Sequence, residues 1–248
     1  MFSKGLLLLA LGAFYVNAFA QQVAIVRNFD HQEIDTLQAY LTGMSVSSKV
    51  FDQSGLTIDS LAGFDLIIWD DLSFASGGIT NVDVFLYDAA KQNGQNLYFI
   101  GDDLAFSTSW ALTPPADSIW TGLIHLTATI NTPASDSIII TGISHSVTNG
   151  FYGKVDNFPS YIDPDNAVQT NSGEMVLAQT DTEYDVIVVY ENEGFKSVTQ
   201  NVLAYKPNDP SGQANRKILF QNAVYWLLDE NISAIETEKL IPIAISVS

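Results

Sequence analysis

Cysteine is absent from all 248 residues. Its absence removes thiol nucleophiles, disulfides, zinc–thiolate sites and iron–sulfur clusters together. Basic residues are scarce: Lys and Arg number 10 against 28 Asp and Glu, a net charge of −18. Phosphate backbones and anionic membrane surfaces are bound through clustered Lys and Arg, so this balance argues against nucleic acid and charged lipid as partners. No Gly-x-Gly-x-x-Gly follows an apolar run, and no Gly-Lys-Ser/Thr exists, so dinucleotide and nucleotide phosphate loops are unsupported. The stretch Arg27-Asn28-Phe29-Asp30-His31 has neither the Ser/Thr/Gly richness of a flavin phosphate cradle nor the paired acids of a phosphoreceiver. No organic cofactor is expected. Beyond residue 20 no apolar window is long enough for a spanning helix, so no membrane span is expected in the mature chain.

What is present is a core. Hydrophobic residues make up 47% of the chain, with 14 Phe, 10 Tyr and 4 Trp, and charged residues only 15%. An acidic disordered segment lacks such apolar content, so the chain is expected to fold. Residues 1–20 read as a secretory signal peptide. Lys4 supplies the positive start, Gly5–Val16 is an apolar run too short to span a bilayer, and Ala18-Phe19-Ala20 gives the small-x-small cleavage pattern. A secreted, extracellular or cell-surface location follows as the expectation. Residues 21–231 are expected to form one α/β domain, and 232–248 a tail or linker.

Short apolar runs ending in polar residues read as buried parallel strands: Val23–Asn28, Lys49–Phe51, Asp65–Trp69 and Asn96–Ile100. Between them, Glu33–Leu41 and Ile79–Gln92 carry apolar residues at helical spacing. Strand, helix, strand, strand, helix, strand is the rhythm of an open, mostly parallel sheet with helices on both faces. Pro114-Pro115 is expected to break the chain. Ser137–Thr141 reads as a further strand, 157–173 as loop, and Asp185–Tyr190 with Ser197–Tyr205 as a β-hairpin. Asn208–Asn215 reads as a polar loop and Lys217–Leu228 as the closing helix, with Tyr225 and Trp226 in the core.

Three segments then carry a family resemblance. Asp65–Asp71 followed by Asn96–Asp103 is similar to the strands leading to the elbow of class I glutamine amidotransferase-like proteins. Ser144-His145-Ser146-Val147-Thr148-Asn149-Gly150 resembles their His-Pro-Ile-Thr-x-Gly turn, with Ser146 in place of Pro. The hairpin and Asn222-Ala223-Val224-Tyr225-Trp226-Leu227-Leu228 resemble their closing hairpin and helix. The resemblance is narrowest to the trehalose-utilisation-type branch and implies a flavodoxin-like fold. Catalytic members carry Cys in a Gly-x-Cys-x-Gly elbow; here the matching stretch is Gly101-Asp102-Asp103-Leu104-Ala105. Thiolate chemistry is thereby excluded. The tail from Ser233 resembles the lead-in to a type IX secretion sorting domain, which implies a chain continuing beyond Ser248. An ordinary frayed terminus reads as well.

Ligands of open α/β sheets sit beyond the carboxyl ends of the strands. Asp30, Asp70, Asp71, Asp102 and Asp103 fall at such ends, and converging oxygen ligands suit Ca²⁺ or Mg²⁺. The same aspartates serve equally as helix caps or a solvated edge. A hydrolase would draw on His145, whose motif returns near the elbow in relatives, with Ser107, Ser109, Asp102 or Asp103. The other histidines are His31 and His125. Asp163-Pro164-Asp165-Asn166 reads as a calcium loop or a plain turn, and Tyr152, Phe158 and Tyr161 as a sugar platform or a loop anchor. Asn231-Ile232-Ser233 matches a glycosylation acceptor and carries no argument. Three functions are therefore open. The first, an accessory binding module on polysaccharide or cell-surface material, fits the missing nucleophile and the export signal. The others are a His145-dependent hydrolase and a structural spacer.

Overall fold

The computed structural model describes residues 21–28, 32–71, 78–101, 104–105, 112–130, 137–141, 143–150, 155–156, 166–170, 174–180, 183–192, 194–202, 204 and 210–229. Residues 1–20, the tail from 230, Asp30, His31, Asp102, Asp103, Ser107, Ser109, Tyr152, Phe158, Tyr161, Asp163, Pro164 and Asp165 lie outside these.

The parallel half follows the sequence pattern closely. Strand β1 (Gln22–Arg27) leads to α1 (Gln32–Gly43), β2 (Ser47–Asp52), the single turn α2 (Ile58–Leu61) and β3 (Leu66–Asp71). Then come α3 (Asn81–Gln92) and β4 (Asn96–Gly101). Helix α3 starts where Thr80 and Asp83 cap each other's backbone reciprocally, and stops at Asn93-Gly94, with Gly94 at φ +80°.

The second half departs from expectation. Pro114-Pro115 does not merely interrupt the chain: Pro115 is the residue from which α4 (Ala116–Ile124) starts. Helix α5 runs Pro210–Leu227 and so absorbs most of the stretch read as polar loop. Pro suits the first helical position because its missing N–H would be unpaired there anyway. The loop reading of 157–173 is corrected at β8 (Asn166–Gln169), which pairs antiparallel with β5 (Leu126–Ile130) as a separate ribbon. The remaining strands are β6 (Ser137–Ile140), β7 (Val155–Asp156), β9 (Met175–Thr180), β10 (Asp185–Asn192) and β11 (Phe195–Gln200).

The main sheet has the order β2-β1-β3-β4-β11-β10-β9-β6-β7. Its first five strands are mutually parallel, and the pairs beyond β11 are antiparallel. The order 2-1-3-4 followed by a fifth parallel strand is the flavodoxin-like arrangement, reached here by a chain that inserts six strands before the fifth place is filled.

Alternation along the strands divides the core in two. Val23, Ile25, Ile68, Tyr98 and Val198 face α1 and α5, where Leu37 and Phe220 meet them. Ala24, Val26, Trp69, Phe99 and Val188 face α3 and α4, where Tyr87 and Trp120 complete an aromatic cluster. In that cluster the Trp69–Trp120 centroids are 5.5 Å apart and Phe99–Trp120 4.9 Å, both edge-to-face. No helix among the described residues is long and apolar enough to cross a membrane.

Candidate functional site

The carboxyl ends of the parallel strands carry a row of polar groups on the α1/α5 face. Arg27 closes β1 in register with Asp52 on one side and Asp70 on the other, and its Nε lies 2.8 Å from Asp52 Oδ1. Asp70 is 0% exposed. Because β3 continues to Asp71, Asp70 is a residue of the sheet itself, in register with Arg27 of β1 and Ile100 of β4.

Beside it stands Tyr98 on β4, whose hydroxyl donates to Gln200 Oε1 at 2.6 Å. Burial pushes the phenol well above its ordinary pKa, and the nearby charges of Asp70 and Glu33 push it further. Tyr98 is therefore a fixed neutral donor. Gln200 passes the chain on, its Nε2 donating to Val202 O at 3.0 Å. Glu33 and Arg216, from α1 and α5, are buried on the same side. Sequence reasoning singled out none of Glu33, Tyr98, Gln200 or Arg216. Only Arg216, a cation within an otherwise aromatic-rich helix, offered a signal.

The elbow segment leaves β4 at Gly101. Leu104 N–H donates to Asn201 Oδ1 at 3.3 Å, and Leu104 O accepts from Trp120 Nε1 at 2.9 Å. Asn201 is itself held, its own N–H donating to Val186 O at 2.8 Å. Leu104, Ala105 and Asn201 are all fully buried. The turn is thus pinned from β11 and from α4, with both backbone groups of Leu104 used inside the protein.

On the other face, a cavity of about 400 Å³ lies outside the ends of β1 and β2, lined by Asn28, Gln53, Gly78, Thr80, Val82 and Asp83 among others. Gln53 spans it. Its Nε2 donates to Gly78 O (3.0 Å) and Asp83 Oδ2 (2.7 Å), and its Oε1 accepts from Trp69 Nε1 (3.1 Å). Asp83 Oδ2 also accepts the Thr80 N–H and hydroxyl. Asp83→Ala is therefore expected to cost about 1–2 kcal/mol, above an ordinary cap, because Gln53 loses its acceptor too. Urea unfolding of the variant measures it; a loss below about 0.3 kcal/mol would show the carboxylate to be incidental.

His145 is not near the elbow. It precedes a 3₁₀ turn at Ser146–Thr148, its Nδ1 accepts from Val147 N–H at 3.2 Å, and its ring meets Trp226 edge-on at 5.0 Å. Asn222 Nδ2 ties this turn to α5, donating to Asn149 O at 2.7 Å and to Val147 O at 3.2 Å. Trp226 lies beside Leu227, whose carbonyl accepts from Asn96, the first residue of β4. Lys196, at the start of β11, donates to Trp226 O at 3.1 Å. His145 thus sits at the amino-terminal edge of the sheet, and the elbow leaves the carboxyl edge, a strand length of about 20 Å away. Burial lowers its pKa, Glu191 opposes that and Lys196 adds to it. Ser107 and Asp103, the residues paired with His145 in the family-based reading, lie outside the described residues. A cavity of about 460 Å³ opens beside this turn, and another of about 530 Å³ at the same sheet edge between Gln21, Asp65 and Asn96. Among the described residues, no three His, Asp or Glu side chains stand close enough together to hold a metal ion.

No protein-family model matches this sequence, and no curated protein is significantly similar to it. Solved structures do match. STM1381, a cytoplasmic protein of Salmonella typhimurium LT2, superposes with a TM-score of 0.60 at 14% identity, over 84% of this chain and 99% of that one. A glutamine amidotransferase of Thermotoga maritima matches with a TM-score of 0.54 at 9% identity, over 85% and 99%. Agd3, a carbohydrate deacetylase, matches with a TM-score of 0.53 at 14% identity, over 85% of this chain and 32% of that one. At such identities the likeness is one of fold. The chain has the α/β fold of glutamine amidotransferase-like proteins, and has it without a single cysteine.

Proposed function

We propose that this chain is an exported amidotransferase-like domain that binds its ligand without transforming it, as an accessory module of an extracellular protein acting on polysaccharide or cell-surface material. The observation that carries the reading is Leu104. In an elbow-type active site, the N–H after the nucleophile is kept free to stabilise the developing oxyanion. Here the N–H after Asp103, the residue in the cysteine's place, is buried and bonded to Asn201 Oδ1. The missing thiol and the spent donor are two independent losses from one catalytic constellation.

Export is inferred from residues 1–20. The saccharide part draws support from Agd3, a carbohydrate-active protein in which the matching fold occupies about a third of the chain. The net charge of −18 favours neutral over anionic polymers.

Retention of the purified protein on immobilised neutral polysaccharides, with and without Ca²⁺, tests the binding; glutamine hydrolysis followed by ammonia release tests the chemistry. Retention on at least one polymer and no ammonia is the expected result. Failure on every polymer would remove the saccharide partner and favour a spacer domain, and ammonia release would overturn the non-catalytic reading.

A further inference from the structure

The ribbon of β5 and β8 is fastened to the main sheet through a buried ionisable pair. His125 follows α4 directly and caps it in the left-handed region (φ +60°, ψ +23°), its N–H donating to Thr121 O at 2.9 Å. It is 4% exposed. Its ring lies flat on Tyr190 of β10, centroids 4.2 Å apart at 21°. Nδ1 is 3.0 Å from Glu174 Oε1, just ahead of β9, and Glu174 is 6% exposed. Thr170, just past β8, bonds both partners: its hydroxyl donates to Glu174 Oε1 at 2.7 Å and its N–H to His125 O at 3.2 Å. One histidine therefore joins α4, β5, the end of β8, the start of β9 and the face of β10.

The chemistry of the ring decides how this fastening responds to protons. A carboxylate only accepts, so Nδ1 carries the hydrogen and Nε2 holds a lone pair. Nε2 is buried and has no hydrogen-bond partner among the described residues. Protonation would place an N–H there with no acceptor among the described residues, and a charge that burial penalises and Glu174 only partly offsets. The facing charged and titratable groups are Glu174, Lys91 of α3 and the Tyr190 phenol. Lys91 Nζ lies 5.9 Å from the Tyr190 centroid and 4.9 Å from that of Phe195. Burial lowers the pKa of His125 most; Glu174 opposes this through its charge and its hydrogen bond, and Lys91 adds to the lowering.

We infer that His125 is a proton-operated latch: it holds the end of the β5–β8 ribbon on β10 while neutral, and releases it when Nε2 takes a proton. The closed form binds that proton less readily than the open one, so the latch holds above pH 6.5, the ring's ordinary value, and weakens as pH falls below it. Each pH unit between the ordinary and the lowered value adds up to a factor of ten to the open population. The second tether of β8, Gln169 N–H to Asp185 Oδ2 at 2.7 Å, contains no histidine. Release is thus local to His125, Leu126, Thr170 and Glu174. The latch does not depend on what the domain binds.

Hydrogen exchange on the whole protein at pH 7 and pH 5, corrected for the intrinsic rate, reads the opening. Protection at 124–128, 168–170 and 174–175 should fall by at least about fivefold at pH 5 while β1, β3 and β4 stay protected. His125→Gln retains a donor toward Glu174 but cannot take a proton, so its protection at these segments should be flat with pH. NMR titration of the unmodified protein, with only three histidines to assign, gives the decisive second reading whether or not that variant folds. A His125 midpoint at or above 6.5, or a titration without loss of protection, would overturn the latch.

Discussion

Trp120→Ala is expected to lower stability by about 3–5 kcal/mol, the range for removing a large aromatic from a packed core. Trp120 is the piece on which one half of the molecule closes. Its ring meets Trp69 and Phe99 edge-to-face at 5.5 and 4.9 Å, joining α4 to β3 and β4. Its indole N–H holds Leu104 O, so the same side chain fixes the elbow. Trp120→Phe separates the two roles. Most of the apolar volume is kept while a buried carbonyl loses its donor, which costs about 1–2 kcal/mol. Guanidinium unfolding by tyrosine absorbance or circular dichroism measures both. A domain of this size loses about 2–4 °C of Tm per kcal/mol, so the alanine variant should melt well below the phenylalanine one. If the two variants fall together, the hydrogen bond and not the ring carries the effect.

Asn222→Leu is expected to cost about 2–3 kcal/mol despite adding apolar volume to a buried position. The amide of Asn222 serves two carbonyls, Val147 O and Asn149 O, and nothing in leucine replaces either bond. The loss should also be visible at a distance in sequence. With the turn released, His145 comes away from Trp226, its burial falls, and its midpoint rises toward 6.5. Urea unfolding gives the first quantity and histidine NMR the second. A destabilised variant whose His145 midpoint is unchanged would show that the turn is held by other contacts.

How far the fold could be read varied with the kind of information each element depends on. The apolar runs of β1, β3 and β4 report burial on both faces, which is a local property, and their positions match within a residue or two. The span of helix α3 was read from its apolar spacing and its end from Asn93-Gly94, whereas the reciprocal Thr80–Asp83 cap at its start was not. Strands β5, β8 and β9 carry no such pattern; they become strands because partners distant in sequence offer an unpaired edge. The site divides in the same way. The aspartate at the end of β3 was visible, but its burial depends on how far β3 extends, which the apolar run alone does not show. Asn201 and His125 were missed because neither stands in a motif. Their importance lies in one bond each, to Leu104 and to Glu174, across 97 and 49 residues of chain.

The two ends of the described fold meet. Gln21 Nε2 donates to Leu228 O at 2.7 Å, so the polypeptide enters and leaves at one spot on the amino-terminal edge. Chains whose ends adjoin tolerate rewiring, because a short linker can join them and a cut can be made elsewhere. The consequence is architectural. This domain can be spliced into a surface loop of a host protein without spreading the loop's stems apart, hanging from them with its elbow edge turned outward.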